Sequence, residues 1–394
     1  MGGHHARHGG DESASMRMLA VAVIVPIALA TLAALIWLWP TGEVAQPDQP
    51  AQGEQTNGHV VSVESAPCPE GQPGTDRCGT VQVRLSEGSG RQVVEAPLPT
   101  GPGAPPIAEG EDVVLLRLDN PQGGEYAVVD HQRERPLWVM AIAFTLALVA
   151  FGRWRGVSAL AGLAVTFGLL VYFVVPAIIG GESPLLVAIV GSAAIMLTVL
   201  YLTHGFSLST TVAVLGTLIS LTLTGVLSAL SVSALHLTGM TDDISTSVGL
   251  SLGINMQGLL LAGIVIGSLG VLDDVTVTQA ATVSELAEAN PAYGFVELYR
   301  AAGRVGRSHI ASVVNTIVLA YAGSSLPLLI LIVAGGDSLG GVLTDQVIAQ
   351  EIARSAVATL GLVAAVPVTT ILAALTQQRV QRGTTAGAEH GGRG

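Results

Sequence analysis

Residues 247–286 read SVGLSLGINMQGLLLAGIVIGSLGVLDDVTVTQAATVSEL and divide after Leu272. The stretch 247–272 carries no charged side chain. About 20 apolar residues in a helix rising ~1.5 Å per residue cross the ~30 Å of bilayer hydrocarbon, so this stretch predicts a transmembrane helix. Asp273 and Asp274 end it, and the rest reads as an amphipathic helix.

The whole composition agrees with that reading. The 394 residues are 50% hydrophobic and only 12% charged, too few charges to hydrate a soluble surface of this size. Further apolar runs predict helices over 17–39, 137–152, 156–176, 184–203, 208–236, 309–334 and 347–376. The predicted fold class is an α-helical multi-pass membrane protein with about eight transmembrane helices. The first run ends in Trp37 and Trp39, interfacial anchors; it is long for a signal-peptide core and lacks a clear cleavage site, so it reads as a retained anchor.

Between the first two helices the chain changes character. Residues 41–135 hold 15 of the 29 acidic residues against six Arg, a balance that argues against a nucleic-acid partner. Alternating runs HVVSVE, TVQVRL, RQVVEA, DVVLLRL and YAVVD, separated by Gly, Pro and Asn turns, predict five short strands in a small β-barrel-like, OB-like domain. PLPTGPGAPP at 97–106 is a loop, because Pro at that density cannot sit in a ladder. The predicted organisation is a disordered tail (1–16), an anchor helix (17–39), a linker (40–56), the β domain (57–135), a seven-helix membrane domain (136–376) and a second tail (377–394).

Arginine placement sets the orientation. With the N-terminus inside, Arg7, Arg17, Arg153, Arg155, Arg300, Arg304, Arg307, Arg379, Arg382 and Arg393 all fall on the cytoplasmic side of a plasma membrane, and so does the C-terminus. The β domain is then extracytoplasmic. Its Cys68 and Cys78, the chain's two cysteines, are disulfide candidates in an oxidising compartment; with no His between them, a metal site is the poorer reading. His4, His5 and His8 lie in the tail and read as incidental. Basic residues that are all Arg, with abundant Ala, Gly and Val, point to GC-rich bacterial codon usage.

Several polar residues interrupt the apolar helices. Asn255 and Gln257 fall about one turn into the 247–272 helix, where a side-chain amide needs a partner or a hydrated cavity. Asp273 and Asp274 are either a carboxylate pair sharing a proton at the membrane boundary or two solvated groups past it; Thr276 continues the Asp273 stripe. Thr210, Thr217 and Thr224 recur every seven residues, with Ser220 and Ser228 beside them, and either line a hydrated path or bond back to their own helix. The pairs Gly249/Gly253 and Gly263/Gly267 read as helix-packing motifs. Asn315 precedes a backbone loosened by Gly323, Ser324, Ser325 and Pro327. Glu351 and Arg354, three apart, read as a structural ion pair. Soluble-enzyme signatures are missing from the sequence, so no catalytic residue, cofactor or resident metal is expected.

GSLGVLDDVTVTQAATVSEL, RVGRSHIASVVNTIVLAYAGSSLPLLIL and EIARSAVATLGLVAAVPVTTILAAL resemble, in order and spacing, the YibE/F-like family of multi-pass membrane proteins. The resemblance covers roughly 57–376 and implies the membrane fold, with no established activity. It singles out Asp273, Asn315, Tyr321, Pro327, Glu351, Arg354, Pro367 and Thr369; Asp274 departs from it, since an apolar residue is usual there. The helix order of 184–376 is also similar to that of SecD/SecF and RND-type permeases, where an acidic motif in the place of Asp273 is linked to proton flow. The expectation is a transporter or export-assisting permease, linked to protons, with an unknown substrate. The rival is a non-transporting envelope protein whose β domain binds a partner while the helices anchor it in the lipid bilayer.

Overall fold

The computed structural model describes residues 8–42, 55–68, 78–86, 92–101, 103–118, 125–241, 243–335 and 339–391. His4, His5, Arg7, Arg393 and nearly all of the expected linker lie outside them. The chain forms two compact units, one from 46–151 and the other from 1–45 with 152–394.

In the 46–151 unit, the five alternating runs become β1 (Gln55–Ala66), β2 (Cys78–Leu85), β3 (Val93–Pro97), β4 (Asp112–Leu118) and β5 (Glu125–His131). They make one antiparallel sheet in the order β3-β2-β1-β4-β5. Period-2 alternation puts Val60, Val81, Val83, Ala96, Val113 and Leu115 on one face, where they are buried together. The expected barrel does not close: no ladder joins the edge strands β3 and β5. β3 has five residues and ends at Pro97, which has no N–H to extend a ladder. Bulges at Val61 of β1 and Val129 of β5 shift the register of the β1–β2 and β4–β5 ladders.

A disulfide joins Cys68 to Cys78, with Cα atoms 5.0 Å apart, tying the end of β1 to the start of β2. After β5 the chain turns into α2 (Glu134–Gly152). Arg133 donates two hydrogen bonds to Asp130, 2.5 and 2.8 Å, and Arg135 lies 3.7 Å from Asp112. The Arg133 bond, helped by the His131 backbone N–H, holds the Asp130 carboxyl below its ordinary range.

The other unit is helical. Its first helix, α1 (His8–Trp37), starts well before the expected 17, so the tail 1–16 is partly helix; once nucleated in the apolar run, a helix adds one hydrogen bond per residue through HGGDESAS. α3 (Trp154–Leu169) passes through a π turn at Leu170–Val174 into α4 (Val175–Ile179), just where Pro176 removes a backbone donor. α5 (Pro184–His204) and α6 (Leu208–Ala234) follow. The expected 247–272 helix is two helices: α7 (Asp243–Leu252) stops at Gly253, whose φ is +63°, and α8 (Met256–Ala289) starts afresh. The expected 309–334 helix is also two. α9 (Phe295–Ser324) yields to α10 (Leu326–Gly335) at Ser325, because Pro327 has no N–H for the Gly323 carbonyl. After α11 (Leu339–Thr344), α12 (Gln346–Gly391) runs through most of the expected tail 377–394.

Among the described residues seven helices are long and apolar enough to cross a membrane, α2 and α1 included. The α9–α10 segment falls outside that count by composition, since α9 opens with Glu297, Arg300, Arg304 and Arg307 and breaks at Ser325, yet the chain returns along it from the end of α8 to the start of α12, α9 running antiparallel to α8. A mostly helical membrane protein with one small antiparallel sheet is therefore the architecture.

α6, α8 and α12 form the centre of the bundle. α6 and α12 run antiparallel, with small residues every fourth position on both: Gly216 lies against Thr369 and Thr224 against Gly361, and Ser220 and Ala365, midway on each, are fully buried. A Cβ on Gly216 or Gly361 would overlap the facing threonine side chain. The glycine pairs expected to serve this purpose do so only at Gly249, which lies tight against the Met256 and Met240 side chains. Gly263 meets nothing within 4 Å, Gly267 only the Tyr321 hydroxyl at 3.8 Å, and Gly253 sits in the α7–α8 break. The threonine series on α6 thus serves close helix packing, with Thr217 and Thr224 also bonding to carbonyls one turn back.

Two measurements follow from this packing. Gly361→Val and Gly216→Val should each destabilise the detergent-solubilised protein by about 1–3 kcal/mol through overpacking, while Gly263→Ala is neutral; thermal unfolding monitored by aggregation or fluorescence gives the ranking. Neither cysteine of the unfolded, unreduced chain should take up a maleimide-polyethylene glycol tag, and both should after reduction; a gel shift before reduction would contradict the Cys68–Cys78 bond.

Candidate functional site

α8 is 34 residues long, about 51 Å at ~1.5 Å per residue, longer than the ~30 Å hydrocarbon core. Asp273 lies 17 residues after Met256, roughly 26 Å along the helix axis. α8 enters beside the chain end of α6, where the Gln257 amide reaches the Leu237 carbonyl at 3.2 Å, so one end of the bundle is marked by Leu237. The opposite end is marked by Ser207, the N-cap of α6, whose Oγ accepts from the Thr210 N–H at 3.0 Å. Asp273 falls in the part of α8 nearer the Ser207 end.

Around it the three central helices meet through hydroxyls and one amide. Thr276, fully buried, is one turn on from Asp273; its hydroxyl lies 2.6 Å from that of Thr217 on α6 and 3.1 Å from the Asp273 carbonyl. Thr217 also reaches the Ala213 carbonyl at 2.9 Å. With one proton per hydroxyl, two of the three contacts along Ala213–Thr217–Thr276–Asp273 are made at a time, because both ends of the chain are backbone carbonyls that only accept. One turn further, the buried Gln279 donates from Nε2 to the Ala302 carbonyl of α9 at 3.1 Å and to the Thr370 hydroxyl of α12 at 2.7 Å. Gly306 on α9 leaves room for Gln279 and Val366; a side chain there would meet both.

The two aspartates differ. Asp273 is partly buried, and its Oδ1 has no hydrogen-bond partner, an arrangement that is expensive for an ionised carboxylate in an apolar surrounding. Asp274 is 69% exposed and lies 3.9 Å from the His309 ring on α9. They sit on neighbouring faces of α8, one turned into the bundle and the other out of it, which separates two residues that the sequence offers as a pair.

The remaining expected site residues are elsewhere. Asn255 is the N-cap of α8, its side chain accepting from the Gly258 N–H at 2.9 Å, and is exposed; it is not inside a longer helix. Gln257 fixes the Leu237 end. Both stand about 24–27 Å from Asp273 along α8. Asn315 is exposed on α9. Glu351 and Arg354 are 3.2 Å apart and half-buried, near the start of α12, with Tyr321 of α9 within electrostatic reach of both. Their level is that of the Leu237 end, remote from Asp273. The structure therefore gathers Asp273 and Thr276 and disperses Asn255, Gln257 and Asn315.

Thr217, Gln279 and Thr369 are the additions that the fold makes. Thr369 is fully buried and its Oγ1 has no partner; Ser220 is in the same state. Gln279 follows Thr276 by three residues on the buried stripe of α8, a polar residue where the pattern calls for an apolar one. Four-residue spacing of Gly361, Ala365, Thr369 and Ala373 is the sequence signal for the α12 face. No group of three or more His, Cys, Asp or Glu suited to a metal occurs among the described residues.

Comparison with known proteins adds one match. No curated protein and no solved structure matches the chain. The YibE/F-like protein family matches residues 140–379, which is more than half of the chain and takes in α3 to α9 and the apolar length of α12. The chain belongs to the YibE/F-like family.

Proposed function

We propose that this membrane protein is a proton-linked transporter or export-assisting permease, with Asp273 as the group that takes up and releases the proton. The observation that carries the reading is the Asp273 carboxyl itself: partly buried, with an unpartnered oxygen, next to a hydroxyl chain where three helices meet. An ionisable side chain inside a membrane bundle with a buried oxygen left unpartnered is costly, and ion and proton pathways are where such groups are found. Asp274, solvated beside His309, has no share in this role. Asn255, Gln257 and Asn315 have none either, and the lining duty passes to Thr217, Thr276 and Gln279.

Orientation follows from charge. Arg153 and Arg155 at the start of α3, Arg300, Arg304 and Arg307 in the first half of α9, and Arg379 on α12 belong to the Ser207 end, since α3 packs antiparallel on α5 through Gly162 and Val199, and α9 antiparallel on α8. That end is the cytoplasmic one in this reading, and both termini, the plasma membrane and a bacterial cell go with it. The sheet is then extracytoplasmic.

Everted membrane vesicles with a respiration-driven pH gradient test the proposal. Candidate solutes are screened for those that dissipate the gradient only when the protein is present. Asp273→Asn should slow that dissipation at least about tenfold, equivalent to ~1.4 kcal/mol, whereas Asp274→Asn should remain near wild type. An unchanged rate in Asp273→Asn overturns the proton role.

A further inference from the structure

At the Ser207 end a small cleft of about 10 Å³, room for a single water, opens between α6, α8 and α12, lined by Ser209, Ser284, Thr376 and Gln377 on its polar side and by Leu208 and Val212 on its apolar side. Gln377 donates to the Ser284 hydroxyl at 3.0 Å, so the mouth is polar. On α8 and α12 the residues that lead inward from it are small: Ala280 on α8 lies between Ser284 and Thr276, and Ala373 on α12 lies between the mouth and Thr369, while α6 presents Val212. Beyond them come the Thr217–Thr276 pair and two fully buried hydroxyls, Thr369 and Ser220, with no protein partner. Buried hydroxyls in native structures are bonded to protein or to ordered water, and a polar cleft that leads toward them supplies the water.

We propose that water enters the α6/α8/α12 seam through this cleft and reaches Thr369, Thr276 and Thr217, which makes the seam the route by which protons arrive at Asp273 from the Ser207 end. The route rests on the proton-linked reading, but the hydration of the seam does not. A hydroxyl in contact with water is suited to passing a proton, since it can donate on one side while it accepts on the other. Thr276 delivers the hydroxyl chain to within one turn of the Asp273 carboxyl. At the Leu237 end Val232, Leu237, Leu260, Ile264, Ala353 and Val357 pack in apolar contact, and the polar groups there, Gln350 with the Glu351–Arg354 pair, stand more than two turns of α12 from Thr369.

The native chain has no free thiol, so a single introduced cysteine can be read directly. Ser284→Cys, Ala280→Cys and Thr369→Cys are treated in intact proteoliposomes with a charged methanethiosulfonate, and compared with Leu223→Cys on the exposed outer side of α6. Position 284 should react fastest, then 280 and 369, each at least about tenfold faster than 223, because a thiol held in apolar surroundings stays un-ionised. Positions 280 and 369 reacting no faster than 223 overturn the hydrated seam. In the vesicle assay, Thr369→Val, which keeps the shape and removes the hydroxyl, should slow gradient dissipation several-fold, and modified Ser284→Cys should fall to the level of Asp273→Asn. If Asp273→Asn abolishes dissipation while Thr369→Val and modified Ser284→Cys run at the wild-type rate, the route is overturned and the proton role of Asp273 stands.

Discussion

The close antiparallel approach of α6 and α12 is the constraint on which the rest of the membrane unit depends. Lipid is as apolar as leucine, so helices in a bilayer gain little by burying leucine against leucine; they gain by packing backbones closely. Gly216 and Gly361 allow that approach, and the threonines opposite them fill the space. α8 then lies against both helices, and its Thr276 and Gln279 meet partners on α6 and α12. Without the glycines the helices would stand further apart, and bonds of 2.6 and 2.7 Å between side chains on different helices would not form.

That packing explains why the polar residues divide into two kinds. Those at helix ends are consumed by the backbone. Asn255 caps α8, Gln257 holds the end of α6 and Ser207 caps α6, each satisfying donors or acceptors that a helix terminus leaves unpaired. Those in the middle of the bundle bond across helices or are left without a partner. Asp273, Thr369 and Ser220 are in the last group, and all three lie on the central helices α6, α8 and α12. Polar groups thus sit toward both ends of the bundle: hydroxyls and Gln279 toward the Ser207 end, and Gln350 with the Glu351–Arg354 pair beside the apolar contacts of the Leu237 end.

The helix breaks have the same origin in backbone chemistry. Gly253 takes a positive φ and ends α7, Pro327 withdraws a donor and ends α9, and Pro176 coincides with the π turn after α3. Hydrophobicity is blind to these events, because it reads a run such as 247–272 or 309–334 as one span whichever way its backbone turns. Asn255 shows this most plainly: one amide, read as a membrane-buried polar group inside a long helix, becomes an ordinary cap once the helix is cut two residues before it.

By itself the sequence determined the membrane class, the position of most of the helices, the five strands and the family, since each of these follows from local patterns: apolar runs of bilayer length, period-2 alternation, and motifs in order. It also singled out Asp273 and Thr276, because an acidic residue at the end of a long apolar run is visible without any partner. Only the tertiary structure decided that the sheet is open, that Asp273 turns inward while Asp274 turns out to His309, and that Thr217, Gln279 and Thr369 belong beside the site in place of Asn255, Gln257 and Asn315. The physical reason is that these are contacts between residues 35 to 153 positions apart in the chain, from Asp274 with His309 to Gly216 with Thr369. Their partners are fixed by how closely two helices can approach, and that distance is set at glycines on a third helix face that no local pattern connects to them.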